Sequence, residues 1–233
     1  MVLSFDFRID DIGASTKIYE QYSNLPFLGN VGFLKNRLLF GNWGPYEELE
    51  PSEIENMITI FNENKKKLAI AITAAWVTND NKLIPFNKKF PEQAKILKEA
   101  SERGLIKILN HGLCHSVIGM HMPKAISSNR KYHREFVDWL PEFIHLKHIS
   151  LSQEILENWI QDKITILAPP GNSYSLKTVK ACEKTNIKYI HSSINLVPNN
   201  SIVSYLELNK CKCFHDRELK IYGKKFIYNL LKD

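Results

Sequence analysis

The chain is poor in features that would place it in a membrane or outside the cell. No apolar run reaches the length needed to span a bilayer. Asp6, Arg8, Asp10 and Asp11 interrupt the first residues, where a secretory segment would need an unbroken apolar core. A cytoplasmic protein without a transmembrane segment is therefore expected. Cysteine is scarce: Cys114, Cys182, Cys211 and Cys213 are the four present, read as reduced thiols. Cys211-Lys212-Cys213 has one residue between its cysteines and no second pair, so it reads as a strand with two buried thiols rather than a zinc knuckle. Internal repeats and low-complexity linkers are missing. So is any basic stripe interleaved with aromatics, which excludes nucleic acid as the expected partner. Lys65-Lys66-Lys67 is the densest basic run and reads as the end of a helix.

What remains is an ordinary globular composition. Of 233 residues, 44% are hydrophobic, 24% are charged, and the formal net charge is +6. That is enough for a sizeable core in a single domain spanning residues 1–233. The positive excess is spread out and reads mainly as solvated surface. Arg130, Lys131 and Arg134 are taken the same way, as a solvated helix face rather than a phosphate contact.

Apolar periodicity divides the chain into alternating strands and helices. Residues 2–9 read as a strand ending at Asp10-Asp11. A long irregular stretch from about Tyr19 to Pro51 follows, long enough to suggest an excursion over a site. Pro51 opens a helix with Ser52 as its expected cap. Leu68 to Trp76 reads as one buried strand, Pro91 to Glu102 as a helix, and Leu105 to Leu109 as a strand. Residues 124–139 are expected to form a polar, basic helix, and 152–161 an apolar one. Strands at 164–167 and 187–190 flank a helix from Leu176 to Thr185, and 202–208 and 211–214 supply the last core strands. This alternation predicts βαβ units and a parallel sheet. Asp10-Asp11, His111–His115, Pro169–Asn172 and His215-Asp216 all sit just after predicted strands, and in a barrel such ends gather on one face.

The chemistry of these residues is that of a hydrolytic metal site. Asp11, His111 and His115 offer one carboxylate oxygen and two imidazole nitrogens, leaving positions open for water and substrate. His111 and His115 are four residues apart, which puts both rings on one face if the segment is a helical turn. With two adjacent acids, one can bind metal while the other serves as general base. The competing reading of Asp10-Asp11 is a helix cap. His215 suits proton donation to a leaving amine, but on spacing alone a surface histidine in a charged turn is the better reading.

On these motifs the chain resembles the polysaccharide deacetylases, the NodB-homology, family 4 carbohydrate esterases. Arg8-Ile9-Asp10-Asp11-Ile12-Gly13 stands for the family's Thr-Phe-Asp-Asp-Gly, and His111-Gly112-Leu113-Cys114-His115 for its His-(Ser/Thr)-x-x-His. Ala168-Pro169-Pro170-Gly171-Asn172 stands for the proline-bearing groove wall. Cys211-Lys212-Cys213-Phe214-His215 stands loosely for Leu-x-Leu-His. The motifs keep the family's order across nearly the whole chain.

The resemblance implies an α/β fold, a distorted (β/α) barrel of about seven parallel strands. It implies Asp10 as general base, His215 as general acid, and Asp11, His111 and His115 as ligands of a divalent metal, most often zinc. Three departures mark a divergent subgroup. Ala168 stands where the family has an arginine supporting the catalytic Asp, and Arg8, on the same side of the strand as Asp10, is the expected substitute. Gly112 replaces the hydroxyl residue of the second motif. The first motif runs on into Ile12-Gly13-Ala14-Ser15-Thr16-Lys17. Arg8, Trp43, Pro170, Asn172 and Asp216 are expected along the substrate groove, with Trp43 either a sugar platform or a loop-packing residue.

The expected activity is metal-dependent removal of an N-acetyl group from a sugar of a glycan or glycan precursor, lipid- or nucleotide-linked forms included. Hydrolysis of a small amide or cyclic imide on the same scaffold is the alternative, and a non-catalytic glycan-binding barrel is the other.

Overall fold

A computed structural model describes residues 4–19, 47–122, 129–208 and 211–232. Seven strands form one parallel sheet: β1 (Phe7–Ile12), β2 (Leu68–Ile72), β5 (Ile106–Asn110), β6 (Ile166–Leu167), β7 (Tyr189–Ser192), β8 (Ser204–Glu207) and β9 (Lys212–His215). Their order is β8-β7-β6-β5-β2-β1-β9. A small antiparallel pair, β3 (Ala75–Val77) and β4 (Leu83–Pro85), stands apart from it. The helices are α1 (Thr16–Tyr19), α2 (Pro51–Glu63), α3 (Phe86–Lys89), α4 (Pro91–Glu102), α5 (Glu142–Ile160), α6 (Leu176–Glu183), α7 (Asp216–Tyr222) and α8 (Lys224–Lys232). Among the described residues no helix is long and apolar enough to cross a membrane.

The sheet is curled into a half-barrel, and one side chain shows how tightly. In the sheet order, β1 and β7 lie four places apart. A flat sheet would separate them by about 19 Å at the usual strand spacing. Yet Arg8 of β1 donates from Nη1 to the His191 carbonyl of β7 at 2.8 Å. The alternation of β2 explains what leaves room inside. Leu68, Ile70 and Ile72 face the main core with Ile54, Met57 and Phe61 of α2. Ala69 and Ala71 face the other way, clustered with Leu109, Ile166 and Ala168. Alanines on the inner face admit a large residue, and Arg8 is wholly buried there.

Several expected elements change on inspection. The buried run from Leu68 is not one strand. After Ile72 the chain leaves the sheet, and the amides of Thr73, Ala74 and Ala75 donate to the carbonyls of Ile12, Gly112 and Leu113 at 3.0, 3.0 and 2.7 Å. Apolar composition hid this break, because both sides of it are buried. The cap of α2 is Glu50, not Ser52: Pro51 occupies the first turn, and the Glu53 carboxylate accepts from the Glu50 amide at 2.7 Å. Residues 130–139 form no α-helix. A 3₁₀ turn spans Arg130–Tyr132, and the chain beyond it is irregular up to Pro141. α5 begins ten residues before the expected 152, because His145, His148, Ser152 and Gln153 occupy its buried face and disguise the apolar period.

Candidate active site

The strand ends converge as the parallel sheet dictates. Asp10 and His215 are register partners on β1 and β9. Asn110, which precedes His111, is the partner of Ile72 on one side and Leu167 on the other. Four motifs distant in sequence therefore open on one rim.

Asp11, His111 and His115 point three donor atoms at a common centre. Asp11 Oδ1 lies 3.2 Å from His111 Nε2 and 3.1 Å from His115 Nε2. Tetrahedral ligands about 2.0–2.2 Å from a zinc ion stand roughly 3.3–3.6 Å from one another, so the observed spacing is within a few tenths of an ångström of it. The tautomer fits as well. His111 Nδ1 donates to the Ala168 carbonyl at 2.7 Å, leaving Nε2 as a lone-pair donor, the usual support of a metal-binding imidazole. His115 Nδ1 lies 3.3 Å from the Thr16 hydroxyl. Burial raises the Asp11 carboxyl, but the charge of His115 and the closeness of both imidazoles outweigh it and hold the group well below the ordinary range. The residues are thus suited to a divalent cation.

The geometry is not that of a helical turn. His111 to His115 is a loop in which Gly112 and His115 hold φ of 82° and 57°. A buried carboxylate braces it: Glu135 accepts from the amides of Leu113 at 2.8 Å, Cys114 at 2.7 Å and His115. His148 of α5 pairs with the same carboxylate at 2.9 Å. This explains Gly112. A Cβ there would come within 2.8–3.0 Å of the Glu135 carboxylate, so brace and hydroxyl side chain are mutually exclusive. Neither Glu135 nor His148 was expected. The available hint was slight: one acid directly after the basic run Arg130–Arg134 and directly before buried Phe136.

Asp10 is held from the barrel interior. Arg8 Nη2 donates to Asp10 Oδ2 at 2.7 Å and to Asn172 Oδ1 at 3.0 Å. The Cys213 thiol donates to the same Asp10 oxygen at 3.2 Å, a contact the sequence reading missed. Burial raises the Asp10 carboxyl, and Arg8, His111 and the Arg8 hydrogen bond more than reverse it, so the group is lowered overall. Asp10 Oδ1 has no hydrogen-bond partner among the described residues. One oxygen is anchored and the other, though buried, has no bond of its own among the described residues.

His215 caps the approach. Its amide donates to Glu218 at 2.7 Å, which also starts α7. Burial lowers the imidazole, but the hydrogen bond to Glu218 and the charges of Asp11, Asp10 and Glu218 raise it to about 9. It is therefore protonated at neutral pH in the protein alone. Lys17 forms a buried ion pair with Asp216 and donates to the Asp11 carbonyl at 2.7 Å. Burial lowers the Lys17 ammonium, but Asp216 and Glu48 raise it overall.

A cleft of about 190 Å³ lies over these groups. Asp10, Asp11, His115, His215 and Asn172 line it. Arg8, Pro170 and Asp216, expected along the groove, do not. Arg8 and Asp216 are buried and committed to Asp10 and Lys17, and Pro170 is buried. Trp43 lies outside the described residues. Arg130 and Arg134, expected on a solvated helix face, lie at the cleft with Arg217, Arg130 exposed as expected and the other two half-buried.

Comparison with known proteins bears on this rim. Among solved structures the chain is similar to a CE4 family pseudoenzyme from Bacillus anthracis, at 9% identity over 79% of this chain and 57% of that one, TM-score 0.49. It is similar to a de-N-acetylase from Aggregatibacter actinomycetemcomitans, at 13% identity over 72% and 67%, TM-score 0.42. It is similar also to a family 4 acetyl xylan esterase from Clostridium thermocellum solved with a cobalt ion, at 10% identity over 80% of each chain, TM-score 0.46. The chain spans less than two thirds of the Bacillus anthracis protein. No curated protein matches it. A family model described as polysaccharide deacetylase matches residues 43–190, more than half of the chain and inclusive of His111–His115 and Pro169–Asn172. The chain belongs to the polysaccharide deacetylase family.

Proposed function

We propose that the protein is a metal-dependent deacetylase that removes the N-acetyl group from a sugar of a glycan or glycan precursor. The observation that carries this reading is Asp10. It stands beside the Asp11–His111–His115 donor set with one oxygen anchored by Arg8 and the other without a partner, while His215 faces it from the next strand.

In this reading Asp11, His111 and His115 hold the cation, zinc being the best match to two nitrogens and one oxygen. When bound, it supplies Lewis acidity to the acetamide carbonyl and to the attacking water. Asp10 Oδ1 accepts the proton of that water, and Arg8 keeps the carboxylate ionised for the purpose. His215, protonated at neutral pH and oriented by Glu218, donates to the departing nitrogen. Acetate and a free amino sugar are the products.

The test is release of acetate, together with free amine, from a panel of N-acetylated sugars by zinc-loaded protein. Asp10→Asn should lower turnover by about 10²–10⁴-fold, the usual worth of a general base, without loss of zinc. Opening of small amides or cyclic imides in place of acetate release would assign a different C–N hydrolase. Failure to bind zinc at all would sink the catalytic reading.

A further inference from the structure

Asp11 would not reach the cation site from a regular strand. Successive side chains of a strand alternate between its two faces, and Phe7 and Ile9 of β1 face the main core. A regular continuation would turn Asp11 into that same apolar layer, on the face opposite to Asp10. The next core residue is instead Ile12. Ile9 and Ile12 pair with Ile70 and Ile72 of β2, so β1 carries one residue more than its neighbour across this step. An extra residue of this kind is a β-bulge, which re-aims a side chain, and it leaves Asp10 and Asp11 both lining the cleft. Asp11 takes up the irregularity with a φ of 68°. Left-handed backbone is uncommon away from glycine and lasts where the surroundings hold it.

Two donors reach the Asp11 carbonyl. The Ala14 amide donates to it at 3.0 Å, closing a tight turn, and Lys17 Nζ donates at 2.7 Å. The ammonium is nearly buried and is itself fixed from two sides. It forms an ion pair with Asp216, the first residue of α7, and lies 3.6 Å from Glu48 Oε2. The same Glu48 oxygen accepts from the Gly13 amide at 3.1 Å. The cluster thus bears on residues 11–14 through the Asp11 carbonyl and the Gly13 amide. A buried ion pair adds little net stability, because desolvation offsets most of its attraction. Stability is therefore a poor account of why two acids and an ammonium gather here, and geometry is a better one. It also gives a use to the run Ile12-Gly13-Ala14-Ser15-Thr16-Lys17, by which the chain departs from the family's first motif. That run brings Lys17, in α1, back over Asp11.

We propose that Lys17 is the positioning residue of Asp11. Held by Asp216 and Glu48, its ammonium fixes the left-handed backbone that turns the Asp11 carboxylate towards His111 and His115. The inference rests on the reading of Asp11 as a cation ligand for its consequence, but not for its geometry.

Lys17→Met alone would strand two largely buried carboxylates, so the test removes the ammonium together with its main partner. Lys17→Met is combined with Asp216→Leu, and separately with Asp216→Asn, so that a packing fault in one leaves the other. Glu48 keeps the amides of Gly13 and Leu49 as donors. One charge of each sign is removed, so the net charge of the site does not change. Loss of the ammonium by itself would favour a dication rather than repel it. Zinc affinity of the metal-free protein is read by competition with a chelating dye, beside thermal melts. Expected is a fall of about 10–100-fold in zinc affinity, as for other groups that orient a metal ligand, with a melting temperature close to that of the wild type. Zinc affinity equal to the wild type's, or tighter, would overturn the proposal. A loss seen only alongside a collapse of the melting temperature would assign the ion pair to stability and overturn it as well. Amide hydrogen exchange on the metal-free proteins gives a second readout. In the double variants the amides of Gly13 and Ala14 should exchange at least about tenfold faster, while those of Arg8 and Ile9 in the same strand hold. If the wild type binds no zinc, the cation reading fails and exchange alone decides. Acceleration confined to Gly13 and Ala14 then supports the positioning role, and unchanged or uniformly faster exchange refutes it.

Discussion

Removing Arg8 should expose how much of the site depends on one buried pair. Arg8 and Asp10 are wholly or almost wholly buried, 2.7 Å apart. Arg8→Ala leaves the Asp10 carboxylate without its cation in a place water reaches poorly, which typically costs about 3–5 kcal/mol. For a chain of this size each kcal/mol lowers the melting temperature by roughly 2–4 °C, so a fall of about 6–20 °C is expected at pH 7. The pH dependence has a definite sign. In the native protein Asp10 is lowered, so its contribution is present above the unfolded carboxylate value and is lost as pH falls through the folded one. Without Arg8, burial dominates and the carboxyl is raised. The variant therefore recovers part of its deficit on acidification, as Asp10 becomes neutral. Thermal melts of both proteins between pH 4.5 and 7.5 should show the gap narrowing towards acid. Asp10→Asn in the Arg8→Ala background removes the orphaned charge and should restore stability relative to Arg8→Ala alone. Zinc uptake should persist, since neither residue is a ligand in this reading, while turnover falls. A gap that does not change with pH, or a double variant no more stable than Arg8→Ala, would refute the pairing as the source of the effect.

Other consequences can be checked as directly. Glu135→Ala deprives the amides of Leu113, Cys114 and His115 of their acceptor. Zinc affinity by titration should fall about 10–100-fold, as for other partners that orient metal ligands, with Glu135→Gln milder because it keeps an acceptor oxygen. Gly112→Ser brings back the family's hydroxyl residue, yet it should destabilise by about 1–3 kcal/mol in denaturant melts, because its Cβ meets the Glu135 carboxylate and φ is 82°. His215, raised to about 9 in the protein alone, should set the alkaline limb of turnover. A bound dication nearby shifts that limb below about 9, and His215→Ala should abolish it and lower kcat by about 10²–10⁴-fold.

The parts of the site that could be read in advance are those written as short local patterns at strand ends. Asp10-Asp11 and His111–His115 needed only the alternation of strand and helix to be brought to one rim. Apart from Arg8, two residues before Asp10 on the same strand, the supports were not legible, because each is a single residue paired across the fold. Lys17 meets Asp216 from 199 positions away, and Glu135 serves a loop some twenty positions upstream. Cys213 reads as a buried thiol of an edge strand until the parallel register of β1 and β9 pairs it with Arg8, within reach of the Asp10 carboxylate. The same limit explains the fold-level corrections. A buried run cannot reveal that the chain turns out of the sheet after Ile72, and polar residues satisfied inside α5 mask its period.

The hydrogen bond from His111 to the Ala168 carbonyl joins two things usually discussed separately. Ala168 begins the Pro169–Asn172 wall, so the peptide that orients one ligand of the cation also anchors the rim on which a sugar would rest. Such a joint offers a route by which loading and recognition would be linked. If a ligand pressing on that wall alters cation affinity, the cation must alter affinity at the wall by the same factor. If the proposed cation binds here, ligand affinity measured at a single metal concentration would describe one point on a shared surface rather than a property of the groove.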